Sequence, residues 1–198
     1  MDEKHKKRGR RSHLNDFHLN VAGEYVYDGS LFACRSSEES LRGSKRAVWI
    51  MAAALALAVV AGGCIPAPGM QNCFYVLLPY LGEVVAAASV VWALAKLGTD
   101  WREVREYNYE KSVAVLPVRT VVAAGFAALG IVCEGIFFFA NKPADKAFFA
   151  LLYVLLKLIV LLCALGVRAK IMQAEWDKIP KKDKSENFTL YNLQYFML

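Results

Sequence analysis

Four long apolar stretches alternate with shorter polar segments along this chain of 198 residues. They cover residues 47–65, 74–97, 113–140 and 147–167. A helix needs about 20 predominantly apolar residues to cross a hydrocarbon core of about 30 Å, and each stretch is near or above that length. The pattern predicts an all-α polytopic membrane protein with four transmembrane helices.

Three of the predicted helices each carry one ionisable residue, namely Glu83, Glu134 and Lys157. A charge facing lipid is costly, so these side chains should face the interior of the bundle. At 1.5 Å per residue, Glu83 and Lys157 both lie about 14 Å below the outer ends of their helices, and Glu134 lies roughly 9 Å down. Equal depth predicts an ion pair between Glu83 and Lys157. Helical spacing places Tyr80 beside Glu83 and Tyr153 beside Lys157, where their hydroxyls would be further partners.

This intramembrane polar interior has two interpretations. The five side chains could form a satisfied ion pair with its neighbours, which fixes how the helices pack. Alternatively they could form an ion or proton relay or a substrate site, since ionisable residues inside a membrane often serve function. Two carboxylates share one lysine, so the surplus acid must be protonated, hydrated or paired elsewhere.

Lysine and arginine residues divide unevenly between the connecting segments. Ten precede the first predicted helix, six follow the fourth, and three lie in the second loop with two more at the adjoining helix ends. The first loop, 66–73, has none, and the third, 141–146, has two. Because basic residues remain on the cytoplasmic side, we predict a multi-pass protein of the cell (plasma) membrane with both termini in the cytoplasm.

This topology divides the chain into three regions. Residues 1–46 form a cytoplasmic basic tail and linker, 47–167 the four-helix transmembrane domain, and 168–198 a cytoplasmic helix extension and tail. We expect residues 35–45 to be a linker or a short helix on the membrane surface. The second loop should continue the second helix along that surface, and 169–178 should extend the fourth helix into water.

A small cytoplasmic β-hairpin is predicted near the N-terminus. The β-prone runs 24–27 and 30–34 flank Asp28-Gly29, a dipeptide typical of two-residue hairpin turns. An isolated hairpin is only marginally stable in water. We therefore expect it to dock on the second loop, on the C-terminal tail or on a partner.

Cys64 and Cys73 flank the first loop, which is rich in proline and glycine. On an oxidising side of the membrane they could form a local disulfide, and the alternative is two free thiols at a tight turn. The sequence Ala61-Gly62-Gly63-Cys64 also resembles a lipoprotein processing site. Residues 1–46 precede the apolar run, however, and this segment is far longer than the basic n-region of a signal peptide.

Nucleic acid is not an expected partner, although the net charge is +6. The basic run 6–11 contains no aromatic residue that could stack on a base, so it is better suited to anionic lipid headgroups. No cofactor, metal or enzymatic activity is expected either. The three histidines, His5, His13 and His18, all precede the first helix, and phosphate-binding glycine motifs are absent from the sequence.

The leading hypothesis is an interaction or accessory subunit of a membrane complex, which uses its cytoplasmic segments. The alternative is a small transporter or channel subunit that oligomerises around the Glu/Lys interior. The expected partners are the lipid bilayer and either another protein or further copies of this chain.

Overall fold

The computed structural model describes residues 17–19, 25–27, 29–35, 38–98, 101–141 and 146–179. Four long helices form its body: α1 (Glu38–Cys64), α3 (Phe74–Leu97), α5 (Leu116–Asn141) and α6 (Ala147–Gln173). Two short helices lie between them, α2 (Pro68–Asn72) and α4 (Glu106–Lys111). Each of the four long helices is long and apolar enough to cross a membrane, as the sequence predicts.

The long helices form a closed ring. Both α1 and α5 pack against α3 and α6, so α3 and α6 lie diagonally across the bundle. Many of the buried residues are alanines: Ala52, Ala58, Ala86, Ala87, Ala93, Ala123, Ala124, Ala127, Ala150 and Ala164. Small side chains of this kind let helix backbones approach closely.

Large apolar side chains cover the outside of the bundle. Leu57, Val85 and Leu151 are each at least 70% exposed. Glu83, Glu134 and Lys157, which lie within the apolar runs of the long helices, face inward instead and are each at most 1% exposed. Water-soluble helical bundles have the opposite distribution, because their apolar stripe faces the core and their charges face solvent.

Two helix ends differ most from the predicted ones. α1 begins at Glu38, so most of the expected linker 35–45 is helical and continuous with the first long helix. α6 ends at Gln173, and the expected helical extension to residue 178 is wrong because Trp176–Ile179 is a strand. The bounds of α3 agree with the prediction.

Within the described residues, five short strands form two sheets. β1 (Phe17–Leu19) pairs antiparallel with β2 (Tyr25–Tyr27). β3 (Leu31–Cys34) lies between β4 (Val104–Arg105) and β5 (Trp176–Ile179), and both pairings are antiparallel. We call this second sheet, β4-β3-β5, the end sheet.

The predicted pairing across Asp28-Gly29 is wrong. Both β-prone runs are strands, but β2 pairs with β1 whereas β3 belongs to the end sheet. A central strand forms backbone hydrogen bonds on both edges, and packing against helices adds stability that a lone hairpin lacks. The second loop and the C-terminal tail supply the partner strands β4 and β5 for β3 alone, and not for a hairpin of β2 and β3.

The second loop does not continue α3. Gly98, at φ +70°, ends the helix in a conformation that suits glycine. The chain then passes through the buried Trp101 into β4 and α4. The basic run 6–11 and the histidines His5 and His13 lie outside the described residues, and His18 lies in β1.

Aromatic rings attach the end sheet to the bundle. Phe32 of β3 stacks on Tyr109 of α4, with ring centroids 3.9 Å apart. Trp176 of β5 contacts both Tyr109 and Trp101, at centroid distances of 5.6 and 6.1 Å. Trp101 is 1% exposed and belongs to the same apolar core as the buried residues of the long helices.

A buried polar cluster as the candidate functional site

An ion pair crosses the centre of the bundle. Lys157 on α6 donates a hydrogen bond to Glu83 Oε2 on α3, and both side chains are buried. Because α3 and α6 are diagonal in the ring, the pair connects two helices that otherwise have little contact. The two residues meet as their equal depth in the sequence predicts.

Two tyrosine rings flank the lysine. The Lys157 Nζ lies 4.5 Å from the ring centroid of Tyr80 and 4.7 Å from that of Tyr153. A desolvated cation over an aromatic face gains about 2 kcal/mol. The expectation that the hydroxyls would be the partners is wrong, because the rings make these contacts. The Tyr80 hydroxyl instead donates to the carbonyl of Val59 on α1, at 3.3 Å.

Glu134 is also buried, but it does not take part in the ion pair. Its Oε1 accepts a hydrogen bond of 3.3 Å from the backbone N–H of Gly69, and its Oε2 has no hydrogen-bond partner among the described residues. The structure therefore separates the two carboxylates: Glu83 has the lysine as its counter-charge, and Glu134 has one backbone donor. The Tyr153 hydroxyl and Glu83 Oε1 also have no hydrogen-bond partner in the described part of the chain.

Gly130 on α5 connects these groups. A Cβ added to Gly130 would lie 3.6 Å from Lys157 Cε and 3.7 Å from the Tyr153 hydroxyl. Glu134 follows one turn later on the same helix, so the polar side chains extend from the ion pair toward α2. We call Tyr80, Glu83, Glu134, Tyr153 and Lys157 the polar cluster.

The short helix α2 covers the Glu134 end of the polar cluster. Its residues Pro68 and Gly69 are buried, and it packs against α3, α5 and α6. A Cβ at Gly69 would overlap the Glu134 carboxylate, so glycine permits this close approach. The sequence signal for α2 is a proline at the first helical position, but a helix of five residues is too short to produce a periodic pattern.

Toward the end sheet, the polar cluster meets a core without buried charges among the described residues. The buried residues that follow it on the four helices include Leu55, Val90, Leu94, Val160 and Ala164. Among the described residues on this side, the buried hydroxyls of Thr120 and Ser112 both donate to nearby backbone carbonyls. Within the described residues, the polar cluster therefore reaches toward the α2 end of the bundle and not toward the end sheet.

Cys64 and Cys73 are free thiols in this structure. Cys64 ends α1 and Cys73 precedes α3, with α2 between them. The local disulfide therefore stays a prediction, as does its alternative of two thiols at a tight turn.

No protein-family model, curated protein or solved structure matches this chain. The described residues contain no group of three His, Cys, Asp or Glu side chains that could hold a metal ion. Function is therefore inferred from the distribution of apolar and charged residues, from the polar cluster and from the end sheet.

Proposed function

We propose that this chain is a multi-pass protein of the cell membrane whose four long helices cross the bilayer. The supporting observation is the outward placement of large apolar side chains together with the inward placement of Glu83, Glu134 and Lys157. Lipid solvates the first group, and burial with partners shields the second from hydrocarbon. In water, the same apolar surface would cause aggregation.

The charge distribution supports an orientation with both termini in the cytoplasm. Most basic residues of the described chain lie at the end-sheet side of the bundle, and these are Arg35, Arg42, Lys45, Arg46, Lys96, Arg102, Arg105, Lys111, Arg119, Arg168, Lys170 and Lys178. At the α2 side, the described residues include one, Lys146. Positive residues are retained in the cytoplasm, so the end sheet lies on the cytoplasmic side of the membrane and α2 lies on the opposite side.

The biochemical role that fits best is that of an interaction or accessory subunit of a membrane complex. The observation that carries this proposal is the end sheet, which joins three segments far apart in the chain into one ordered surface. Among the described strands, β5 pairs only with β3, so its other edge presents backbone N–H and C=O groups. Such an edge can take an extended segment of another protein as an additional strand.

A second candidate role is a small oligomeric transporter or channel subunit. Glu134 favours it, because a buried carboxylate with an unpartnered oxygen is unusual in a purely structural cluster. The apolar layer between the polar cluster and the end sheet opposes a path through a single bundle. A conducting path would therefore have to form between copies.

Site-specific photo-crosslinking in native membranes tests the interaction role. A photoreactive side chain at Ile179, the exposed last residue of β5, is expected to capture one discrete partner protein. The matched control carries the same group at Glu110, which is exposed on α4 at the same side of the bundle. Equal capture from both positions would contradict a specific surface on β5, and capture of a second copy alone would favour the oligomeric role.

A further inference from the structure

A polar pocket of about 220 Å³ lies where the end sheet meets the start of α1 and the end of α6. Ser40 and Ser44 of α1 line it, together with Lys170 and Gln173 of α6. The two serines are four residues apart and the α6 pair is three apart, so each pair shares one face of its helix. Two helices that pack against each other therefore build this pocket.

Residues of the end sheet and of the bundle core complete the lining. They are Cys34 of β3 and the buried Leu41 and Trp101. The backbone N–H of Cys34 donates to the carbonyl of Trp101 at 3.3 Å, which connects the strand to the segment after α3. The pocket is thus part of the ordered attachment between the end sheet and the long helices.

Hydrogen-bond donors dominate the polar lining. The two serines contribute hydroxyls, Gln173 an amide and Lys170 an ammonium group. Among the described residues, no acidic side chain lines the pocket, and Lys170 forms no ion pair. The exposed Glu175 is close in sequence but does not contribute to the wall.

This chemistry restricts the class of ligand. Lys170 repels a cation, and a metal ion lacks the carboxylate ligands that it needs here. A wholly apolar molecule would take water from the hydroxyls and the ammonium group without replacing their hydrogen bonds. An anion with several acceptor oxygens satisfies all of these donors, and lysine is a common binder of phosphate.

The pocket lies just outside the apolar part of the helices. Ser44 is three residues before the apolar stretch 47–65, and Lys170 is three residues after the stretch 147–167. At 1.5 Å per residue, both are about 4.5 Å beyond the ends of those stretches. In the proposed membrane orientation, on which this step rests, that is the headgroup level of the cytoplasmic leaflet, where anionic lipids are abundant.

We propose that this pocket binds a terminal phosphate group. Lys170 supplies the counter-charge, and Ser40, Ser44 and Gln173 donate hydrogen bonds to the phosphate oxygens. An anionic lipid with a phosphate monoester and a soluble phosphate share this chemistry, and the depth of the pocket favours the lipid. The phosphate of phosphatidylcholine is covered by a choline, whose positive charge Lys170 repels.

Calorimetric titration of the full chain in dodecyl maltoside micelles tests the site, with empty micelles as the blank. The probes are dioctanoyl phosphatidic acid and dioctanoyl phosphatidylcholine, which share their acyl chains and differ in the headgroup. Phosphatidic acid is expected to bind with a Kd at least about tenfold lower, because charge-assisted hydrogen bonds are stronger than neutral ones. Micelles impose no orientation, so this result is separate from membrane topology and from partner capture by β5.

Two variants locate the binding. Lys170→Gln removes the ammonium group and should raise the Kd for phosphatidic acid about tenfold, with the Kd for phosphatidylcholine unchanged. Ser44→Asp should weaken phosphatidic acid binding at least as much, because it adds a carboxylate that repels phosphate, while Lys170 gains a partner and the fold is retained. Arg46→Gln is the matched control: Arg46 is exposed and two residues from Ser44, on the opposite face of α1, so the preference should remain.

Inorganic phosphate as a third probe identifies the source of the ligand. A Kd at least about tenfold above that of phosphatidic acid would support the site and assign it to lipid, and an equal Kd would support the site and assign it to soluble phosphate. Equal affinity for the two lipids, undetectable binding of phosphatidic acid or a preference that survives Lys170→Gln would overturn the proposal.

Discussion

Lys157→Met is expected to destabilise the bundle by about 3–5 kcal/mol, the usual cost of removing one partner from a buried ion pair. Glu83 would then lie at the bundle centre without its counter-charge, on a side chain that is fully buried. Tyr80 and Tyr153 would also lose the cation between their rings. Chemical unfolding in mild detergent measures the change.

The double variant identifies the cause of this loss. Adding Glu83→Gln to Lys157→Met removes the second charge, and it should restore much of the stability, because uncharged replacements of buried pairs are often nearly neutral. Lys45→Met, at a partly exposed position of α1, is the matched control and should change stability by less than about 0.5 kcal/mol. If Lys157→Met is as benign as the control, the ion pair does not support the fold.

Trp101→Ala is expected to cost about 3–5 kcal/mol, as for other large aromatic residues removed from a core. Trp101 is 1% exposed and packs against Trp176 of β5, so its loss leaves a cavity between the end sheet and the bundle. Hydrogen exchange should show faster exchange in β3 and β5, while the centres of α3 and α6 keep their protection.

Trp92→Ala is the matched control for this change. Trp92 lies in α3 but is 62% exposed, so its removal leaves no internal cavity. The control should leave the exchange rates of β3 and β5 unchanged. Unaltered protection of both strands in Trp101→Ala would mean that the end sheet does not depend on its attachment to the bundle.

The helical part of the fold can be predicted from sequence because its signals are local. An apolar run of sufficient length specifies each long helix, and the bounds of α3 match the run 74–97. Glu83 and Lys157 could be matched in depth because both lie in such runs. The start of α1 at Glu38 is missed, because polar residues precede the apolar run and hide the continuing helix.

The end sheet is harder to predict because its pairings are not local. β3 pairs with strands from the second loop and from the tail, and neither strand carries a strong signal of its own. The Asp28-Gly29 dipeptide favours a local hairpin, but the tertiary partners of β3 determine its actual pairing. The hydrogen bond from Gly69 to Glu134 is hard to predict for a similar reason, since it depends on α2, a short helix without a periodic sequence pattern.

Cysteine accessibility in intact cells is the most direct test of the proposed membrane insertion and orientation. One chain keeps Cys64 as its only cysteine, at the exposed end of α1 beside α2, and the other carries only Glu110→Cys, near the end sheet. An impermeant maleimide should modify Cys64 in intact cells, and it should modify the introduced cysteine only after permeabilisation. Modification of the introduced cysteine alone in intact cells would reverse the orientation, and modification of both would contradict a bundle that spans the membrane.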